Sequence, residues 1–213
     1  MKQIRILLAD DHSMMCAGLQ KLLEPQYEIV GIVGDGIELL KVANKLRPGV
    51  ILLDVSMPLL NGLDAARELK KMLPQVKLIF LTMNPDSDTA AEALRVGASG
   101  YLLKTSKPSE LLEAIDDVLR GMSYVTPQIK CAMEETFIRD PNAQQRSKQL
   151  TNRQREVLQM LAEGRPMKEI AHILQISHRT VRFHKAGIME ELSITTNSEL
   201  VQYAMKHGMI SSA

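Results

Sequence analysis

The sequence predicts an α/β domain with a doubly wound parallel sheet, followed by a small domain made only of helices. Short β-type runs alternate with amphipathic helical patterns over the first half of the chain. Two of these runs are continuously apolar, which is typical of strands covered by helices on both faces. Beyond residue 150 the apolar residues recur with helical spacing only. Together these observations indicate two domains of different class.

The first domain alternates five strands with five helices. The predicted strands are Ile4–Ala9, Tyr27–Val33, Val50–Asp54, Lys77–Leu81 and Ser99–Leu103. The predicted helices are Ser13–Leu23, Gly36–Leu46, Gly62–Met72, Asp86–Val96 and Pro108–Arg120. This alternation favours a flavodoxin-like (βα)5 sheet with strand order 2-1-3-4-5.

A weaker pattern between residues 122 and 147 predicts a linker that is partly helical. Pro127 and Pro141 bracket one short helix, Gln128–Phe137, whereas Arg139–Lys148 is polar and has no apolar period. The predicted division of the chain is therefore 1–121, 122–147 and 148–213.

Four helices are delimited by clear signals in the second domain. Thr151 with Gln154 and Thr196 with Glu199 have the spacing of capping boxes. Ser177 can cap a third helix that runs to Leu192. The second helix, Met167–Leu174, is short, and Gly164 and Gly208 end the first and last helices.

The charges are unevenly divided between the two parts of the chain. Up to Asn142 there are 16 Lys and Arg against 19 Asp and Glu, and after it 10 against 6. A basic second domain predicts an anionic partner. Cys16 and Cys131 lack metal-ligand spacing and are too few for a disulfide scaffold, so we expect a reducing, cytoplasmic setting. We expect neither a signal peptide nor a membrane span.

Acidic residues stand at the ends of two predicted strands that neighbour each other in the sheet. Asp10 and Asp11 follow the first strand, and Asp54 ends the third. Ligands bind at the carboxyl ends of such strands, and three converging carboxylates require a hard cation such as Mg²⁺. Thr82 and Lys104 end two further strands and add a hydroxyl and an ammonium. A single aspartate there is more often a helix cap, but the five residues together predict a phosphoryl-transfer site.

These residues lie in four strings that resemble the receiver domain of two-component response regulators in order and spacing, over residues 4 to 121. The strings are Ala9-Asp10-Asp11-His12, Asp54-Val55-Ser56-Met57-Pro58 with Gly62, Leu81-Thr82-Met83, and Gly97-Ala98-Ser99-Gly100-Tyr101-Leu102-Leu103-Lys104. The resemblance implies that Asp54 is the phosphoacceptor. It also implies that Mg²⁺ is held by Asp54 and Asp11 directly, by Asp10 through water, and by the backbone carbonyl of Ser56.

The same resemblance implies a conformational switch. In it the Thr82 hydroxyl moves toward the phosphoryl group and the Tyr101 ring swings inward, while Lys104 binds phosphate. Many receivers have proline after this lysine in a cis peptide, whereas Thr105 stands here. A trans bond is therefore expected, because a cis bond without proline costs about 2.5–4 kcal/mol.

The third helix of the second domain has two distinct faces when it is wound from Ser177 to Leu192. One face is apolar and contains Val181, Ile188 and Leu192, with His184 at its edge. The opposite face is basic and contains Arg179, Arg182, Phe183 and Ala186, with Lys185 flanking it. Basic faces are usually only solvated, but this one follows a short helix and a tight turn, an arrangement suited to the major groove of DNA.

Residues 148 to 210 resemble the LuxR-type helix-turn-helix, and with the receiver they resemble the NarL/FixJ family. The matching residues are Leu150-Thr151-Asn152-Arg153-Gln154-Arg155-Glu156-Val157-Leu158, Lys168-Glu169-Ile170-Ala171, Ser177, Thr180-Val181 and His184. By position, Arg182, Phe183 and Ala186 would face base edges, with Lys185 and Thr180 toward phosphates. Glu190 and Glu191 depart from the basic residues usual there and would repel phosphates.

The expected function is a transcriptional regulator controlled by phosphorylation from a sensor histidine kinase. We expect it to bind double-stranded DNA, to form a homodimer on phosphorylation or on DNA, and not to be an enzyme. One alternative is a phosphatase of the haloacid dehalogenase type, whose D-x-D pattern after the first strand is missing at Asp10-Asp11-His12. Another is a receiver that acts only through protein partners, against which the second domain argues.

Overall fold

The computed structural model describes residues 3–139 and 150–210, and most of the expected polar linker, Arg139–Lys148, lies outside these residues. The first domain contains a parallel sheet of order β2-β1-β3-β4-β5-β6. Its strands are β1 (Arg5–Ala9), β2 (Glu28–Val33), β3 (Val50–Asp54), β4 (Lys77–Thr82), β5 (Gly100–Leu103) and β6 (Tyr124–Val125). The expected order 2-1-3-4-5 is confirmed, and each expected strand is correct to within one residue at either end.

Five helices alternate with the first five strands, and side-chain caps begin three of them. The helices are α1 (Ser13–Leu23), α2 (Gly36–Leu46), α3 (Gly62–Met72), α4 (Ser87–Val96) and α5 (Pro108–Leu119). Asp35, Asn61 and Asp86 each accept a hydrogen bond from the backbone N–H three residues on, which satisfies a group the helix leaves unpaired. No helix within residues 3–139 and 150–210 is long and apolar enough to cross a membrane.

The sheet is buried on both faces, as its continuously apolar strands predict. Consecutive residues of β1 point to opposite faces, so Leu7 lies in the cluster under α2, α3 and α4, while Ile6 and Leu8 lie in the cluster under α1 and α5. All three side chains are at most 1% exposed. The carboxyl ends of β1, β3, β4 and β5 therefore project together from one edge of a rigid core.

The sheet has a sixth strand that the sequence does not predict. Tyr124 and Val125 pair in parallel with β5, and the following helix, α6 (Pro127–Arg139), packs against α4. Ile129 on α6 is fully buried in the same cluster as Phe80. Part of the segment expected to be a linker thus belongs to the core of the first domain. The division at residues 121 and 147 remains a prediction.

The second domain is a cluster of four helices around its own core. They are α7 (Asn152–Ala162), α8 (Met167–Ile173), α9 (His178–Leu192) and α10 (Asn197–Lys206). Both expected capping boxes are present, at Thr151 and at Thr196. The core contains residues from all four helices, among them Val157, Ile170, Val181 and Leu200.

If α6 is part of the first domain, Ile129→Ala should destabilise the protein by about 2–5 kcal/mol, because it leaves a cavity in a packed core. Ile129→Val should cost only about 0.5–1.5 kcal/mol. Lys130→Ala, at an exposed neighbouring position, is the matched control. Urea denaturation measures all three. Equal stability of Ile129→Ala and Lys130→Ala would show that α6 does not contribute to this core.

Candidate functional site

The pairing of β1 with β3 brings the three aspartates together. Ala9 is in register with Leu53, so Asp10 and Asp54 follow at adjacent strand ends. Asp10 and Asp54 are each only 4% exposed, whereas Asp11 lies at the exposed rim. The expected convergence of carboxylates at the edge of the sheet is therefore present in the fold.

Lys104 connects the two buried carboxylates. Its Nζ lies 2.8 Å from Asp10 Oδ2 and 2.9 Å from Asp54 Oδ2, and its side chain is 3% exposed. The backbone N–H of Lys104 donates to the carbonyl of Thr82, which fixes the residue just beyond β5. The described residues contain no cis peptide bond, so the bond to Thr105 is trans, as expected.

Burial decides the direction of the pKa shift of Asp54, whereas the neighbouring carboxylates decide that of Lys104. Burial raises the pKa of Asp54 to about 6, against the opposing effect of the Lys104 ammonium, while the Asp10 carboxylate raises it further. Burial alone would lower the pKa of Lys104, but the carboxylates of Asp54 and Asp10 raise it. The pocket thus holds a fixed ammonium and a carboxylate that is less strongly ionised than usual.

His12 also contacts this pocket, and the sequence reasoning did not assign it a role there. Its Nδ1 lies 2.9 Å from Asp10 Oδ1 and 2.9 Å from Asp11 Oδ1. Ligand atoms of Asp10, Asp11, His12 and Asp54 all lie within 4.8 Å of one another. Three carboxylates are the hard oxygen donors that Mg²⁺ prefers, so the donor set fits the expected ion.

After burial and the neighbouring charges, the Ser56 backbone N–H is a further influence on the Asp54 carboxyl, and it lowers the pKa of that group. The segment that carries the expected carbonyl ligand therefore lies beside the carboxylate.

The two expected switch residues lie next to the pocket but differ from expectation in one respect. Thr82 is 6% exposed, and its Oγ1 accepts a hydrogen bond from the backbone N–H of Asn84. The Tyr101 ring is fully buried, with its centroid 6.1 Å from that of Phe80. The inward position expected only on phosphorylation is thus already occupied. The residue lies beside β6, since Tyr101 pairs with Val125 and its carbonyl accepts from the N–H of Thr126, and it belongs to the same buried cluster as Ile129.

The basic face of α9 points to solvent. Its exposed residues are Arg179, Arg182, Phe183 and Ala186, and Phe183 is 74% exposed. Thr180 is half-buried and its Oγ1 lies 2.8 Å from Ser177 Oγ. Phe183 and the cations beside it are thus accessible to a partner that meets this face.

Lys185 is less free than its neighbours on this face. Its Nζ donates to Asn197 Oδ1 at 2.7 Å, which links α9 to the start of α10. Glu190 and Glu191 are exposed at the far end of α9, so the positive charge is concentrated in the first half of the helix.

The two domains meet at a polar contact that the sequence does not predict. Gln159 on α7 is fully buried, and its Nε2 donates to the Met57 carbonyl while its Oε1 accepts from the Asn61 backbone N–H. One feature of the sequence points to this contact, which is the polar Gln159 inside the apolar run Val157-Leu158-Gln159-Met160. It indicates burial but does not identify the partner.

In the metal-free protein, the Asp54 carboxyl should titrate near pH 6 rather than near its ordinary 3.8. Because the pKa is higher in the folded state, this group stabilises the fold most at acid pH and loses that effect as the pH rises through about 6. Carboxyl-carbon NMR measures the titration, and Asp54→Asn should remove the signal. A midpoint near 3.8 would contradict the dominance of burial.

Comparisons with known proteins cover both domains. The response regulator receiver domain matches residues 6–116, and the luxR family of bacterial regulatory proteins matches residues 148–204. The transcriptional regulatory protein DegU of Brevibacillus brevis is 30% identical, over 98% of this chain and 95% of its own. The oxygen regulatory protein NreC of Staphylococcus carnosus is 33% identical, over 97% and 99%.

A solved structure is similar over nearly the whole chain. RcsB from Salmonella enterica serovar Typhimurium, bound to promoter P1flhDC in the presence of phosphomimetic BeF3⁻, is 27% identical, with a TM-score of 0.62 over 96% of this chain and 99% of its own. With an acidic pocket in the first domain and a helix-turn-helix in the second, this chain belongs to the NarL/FixJ family of two-component response regulators.

Proposed function

We propose that this chain regulates transcription under the control of phosphorylation at Asp54. The observation that carries the proposal is the buried ion network in which Lys104 contacts both Asp10 and Asp54 at the switch point of the sheet. A carboxylate beside a fixed ammonium and a set of metal-ready oxygens is suited to accept a phosphoryl group. The proposed donor is a phosphohistidine of a sensor kinase.

In the transfer, an Asp54 carboxylate oxygen forms a bond to phosphorus as the P–N bond to the donor histidine breaks. The bonding electrons leave with the imidazole nitrogen, and the product is an acyl phosphate on Asp54. The Lys104 ammonium, already 2.9 Å from Asp54 Oδ2, is placed to contact a phosphoryl oxygen. Asp10, Asp11, Asp54 and the Ser56 carbonyl would hold Mg²⁺, which when bound would offset negative charge in the pocket.

The proposed switch uses Thr82 and Tyr101, but the movement of Tyr101 differs from the one expected. The Thr82 hydroxyl would turn from its bond with Asn84 toward a phosphoryl oxygen. Because the Tyr101 ring is already buried, its response would be a shift within the core under β6 and α6, not an inward swing from solvent. We propose that this shift alters dimerisation.

The proposed output is binding of promoter DNA through α9. Arg182 would read a guanine and Phe183 would contact a thymine methyl, with Arg179 and Ala186 on the same face. Lys185 and Thr180 would contact phosphates. RcsB bound to a promoter supports this use of the fold. One helix-turn-helix covers few base pairs, so two copies on half-sites about one helical turn apart would be needed.

The homologous regulators argue for a regulator and not for an enzyme as the role of this chain. A cytoplasmic location is part of the proposal and rests on the two free cysteines, Cys16 and Cys131.

Acetyl phosphate with Mg²⁺ should label Asp54, because this buried carboxylate ends β3 beside Lys104 and is followed directly by the Ser56-Met57-Pro58 turn that carries the expected carbonyl ligand. Mass mapping of the modified chain measures it. Asp54→Asn should abolish the label. Asp35→Asn is the matched control, since asparagine can still cap α2. Undiminished labelling of Asp54→Asn would contradict the assignment.

Arg182→Ala and Lys185→Ala should weaken DNA binding in different ways. Loss of Arg182 should cost about 1–3 kcal/mol and relax the preference at one base position. Loss of Lys185 should weaken all sequences alike and lower the salt slope by roughly one unit. Lys206→Ala, exposed on α10, is the control. Titrations on matched and altered half-sites at several salt concentrations separate the two. If both variants behave alike in both respects, α9 does not lie in the groove as proposed.

A further inference from the structure

A cavity of about 550 Å³ lies between α4, β6 and α6 in the first domain. All three elements contribute to its lining, and none of the described residues that line it belongs to the acidic pocket or to α9. Sites for small molecules in proteins have volumes of about 300–1,000 Å³. The cavity is therefore large enough for a ligand of that size, at a place that the proposed function does not use.

One wall of the cavity is apolar. It is formed by Leu94 on α4, Val125 on β6 and Met133 on α6, which all pack against the core cluster that contains Tyr101. Ala91, also on α4, adds only a methyl group and leaves room between the two helices. Apolar atoms of a ligand that reach this apolar wall leave water, which favours binding.

The mouth of the cavity carries more negative than positive charge. Asp88 lies in the first turn of α4, and Lys130 and Glu134 lie one helical turn apart on α6. All three residues are exposed, and neither carboxylate forms an ion pair with another residue of the ranges 3–139 and 150–210. Two carboxylates against one ammonium favour a cation over an anion at this position.

We propose that this cavity binds an amphipathic amine. The apolar part of the ligand packs on the apolar wall, and its protonated nitrogen lies near the carboxylates of Asp88 and Glu134. An apolar lining with a few polar groups that fix the orientation is the usual construction of a small-molecule site. A ligand with a carboxylate in place of the amine would meet the same two negative groups, and Lys130 alone would attract it.

The ligand would contact three elements that meet at one part of the core. Val125 pairs with Tyr101 in the sheet, and α6 packs against α4. A ligand held between these elements requires all of them to be in place, so it binds the folded first domain and not the unfolded chain. Binding should therefore raise the unfolding temperature in proportion to ligand occupancy. The inference does not rest on the proposed role of Asp54.

Tryptamine is the probe for this site. Tryptophol and indole-3-propionate are its matched compounds, because they carry the same indole ring with a neutral and an anionic group. The chain contains no tryptophan, so indole emission, excited where tyrosine does not absorb, reports the probe alone. Titration of the full chain measures the three affinities. Amide chemical shifts at Leu94 and Val125 show whether the probe occupies the cavity.

Tryptamine should bind about fivefold more tightly than tryptophol, and indole-3-propionate should bind most weakly. Asp88→Asn and Glu134→Gln should each weaken tryptamine binding about two- to fivefold, the usual range for a charge pair open to solvent, and leave tryptophol binding unchanged. Lys130→Gln should strengthen tryptamine binding by a similar factor. Glu191→Gln, exposed on α9, is the matched control.

Ala91→Leu tests the location of the site independently of charge. The larger side chain should fill the space between α4 and α6, and all three probes should then lose affinity alike. Unchanged amide exchange at Phe80 would show that the core remains folded. If this variant does not fold, the test remains valid, because Asp88 and Glu134 are exposed and their replacement removes only charge.

Three results would overturn the inference. The first is equal affinity for the three probes, or equal effects of Glu134→Gln and Glu191→Gln. The second is binding of tryptamine without shifts at Leu94 and Val125. The third is tryptamine binding that disappears as the protein concentration rises, which would mean that a second copy of the chain covers the cavity.

Discussion

Two carboxylates and one ammonium lie together in a space from which water is largely excluded. The structure of the first domain depends on this unequal number of negative and positive groups. Asp10 and Asp54 must be close because β1 and β3 are neighbours, and Lys104 reaches both because β5 ends at the same edge. One ammonium cannot neutralise two ionised carboxylates, so the pocket is suited to a further cation. Burying these charges costs free energy, and the packing of the apolar sheet beneath them offsets it. A rigid core and a reactive edge are thus parts of one arrangement.

The sequence predicts those features that depend on local pattern. Strands such as Val50–Asp54 are recognisable because a parallel sheet covered on both faces demands unbroken apolar runs, and a polar residue at the end of such a run stands out. Helix starts at Thr151 and Thr196 are equally local, since a capping box spans only four residues. The exposure of Phe183 follows from helical periodicity in the same way.

Features that depend on distant partners could not be predicted. The strand β6 is only two residues long and exists because β5 offers an unpaired edge, which no window around Tyr124 reveals. Gln159 binds the main chain of Met57 and Asn61, and backbone groups leave no trace in residue identity. The buried cluster that contains Tyr101 likewise includes Ile129, which lies in a segment whose pattern indicated a linker. In each case the missing information was a tertiary partner.

The pairing of β6 with β5 also bears on how the first domain can be separated from the rest of the chain. A fragment that stopped at residue 121 would expose the backbone N–H and C=O groups of β5 along an open edge, and it would uncover the apolar surface now under Ile129. Unprotected edge strands pair with one another, and such a fragment would be prone to self-association with no physiological meaning. Oligomers of a receiver fragment that ends at that point would result from the exposed edge of β5 and not from a property of the intact chain. A fragment that retains α6 keeps the edge closed.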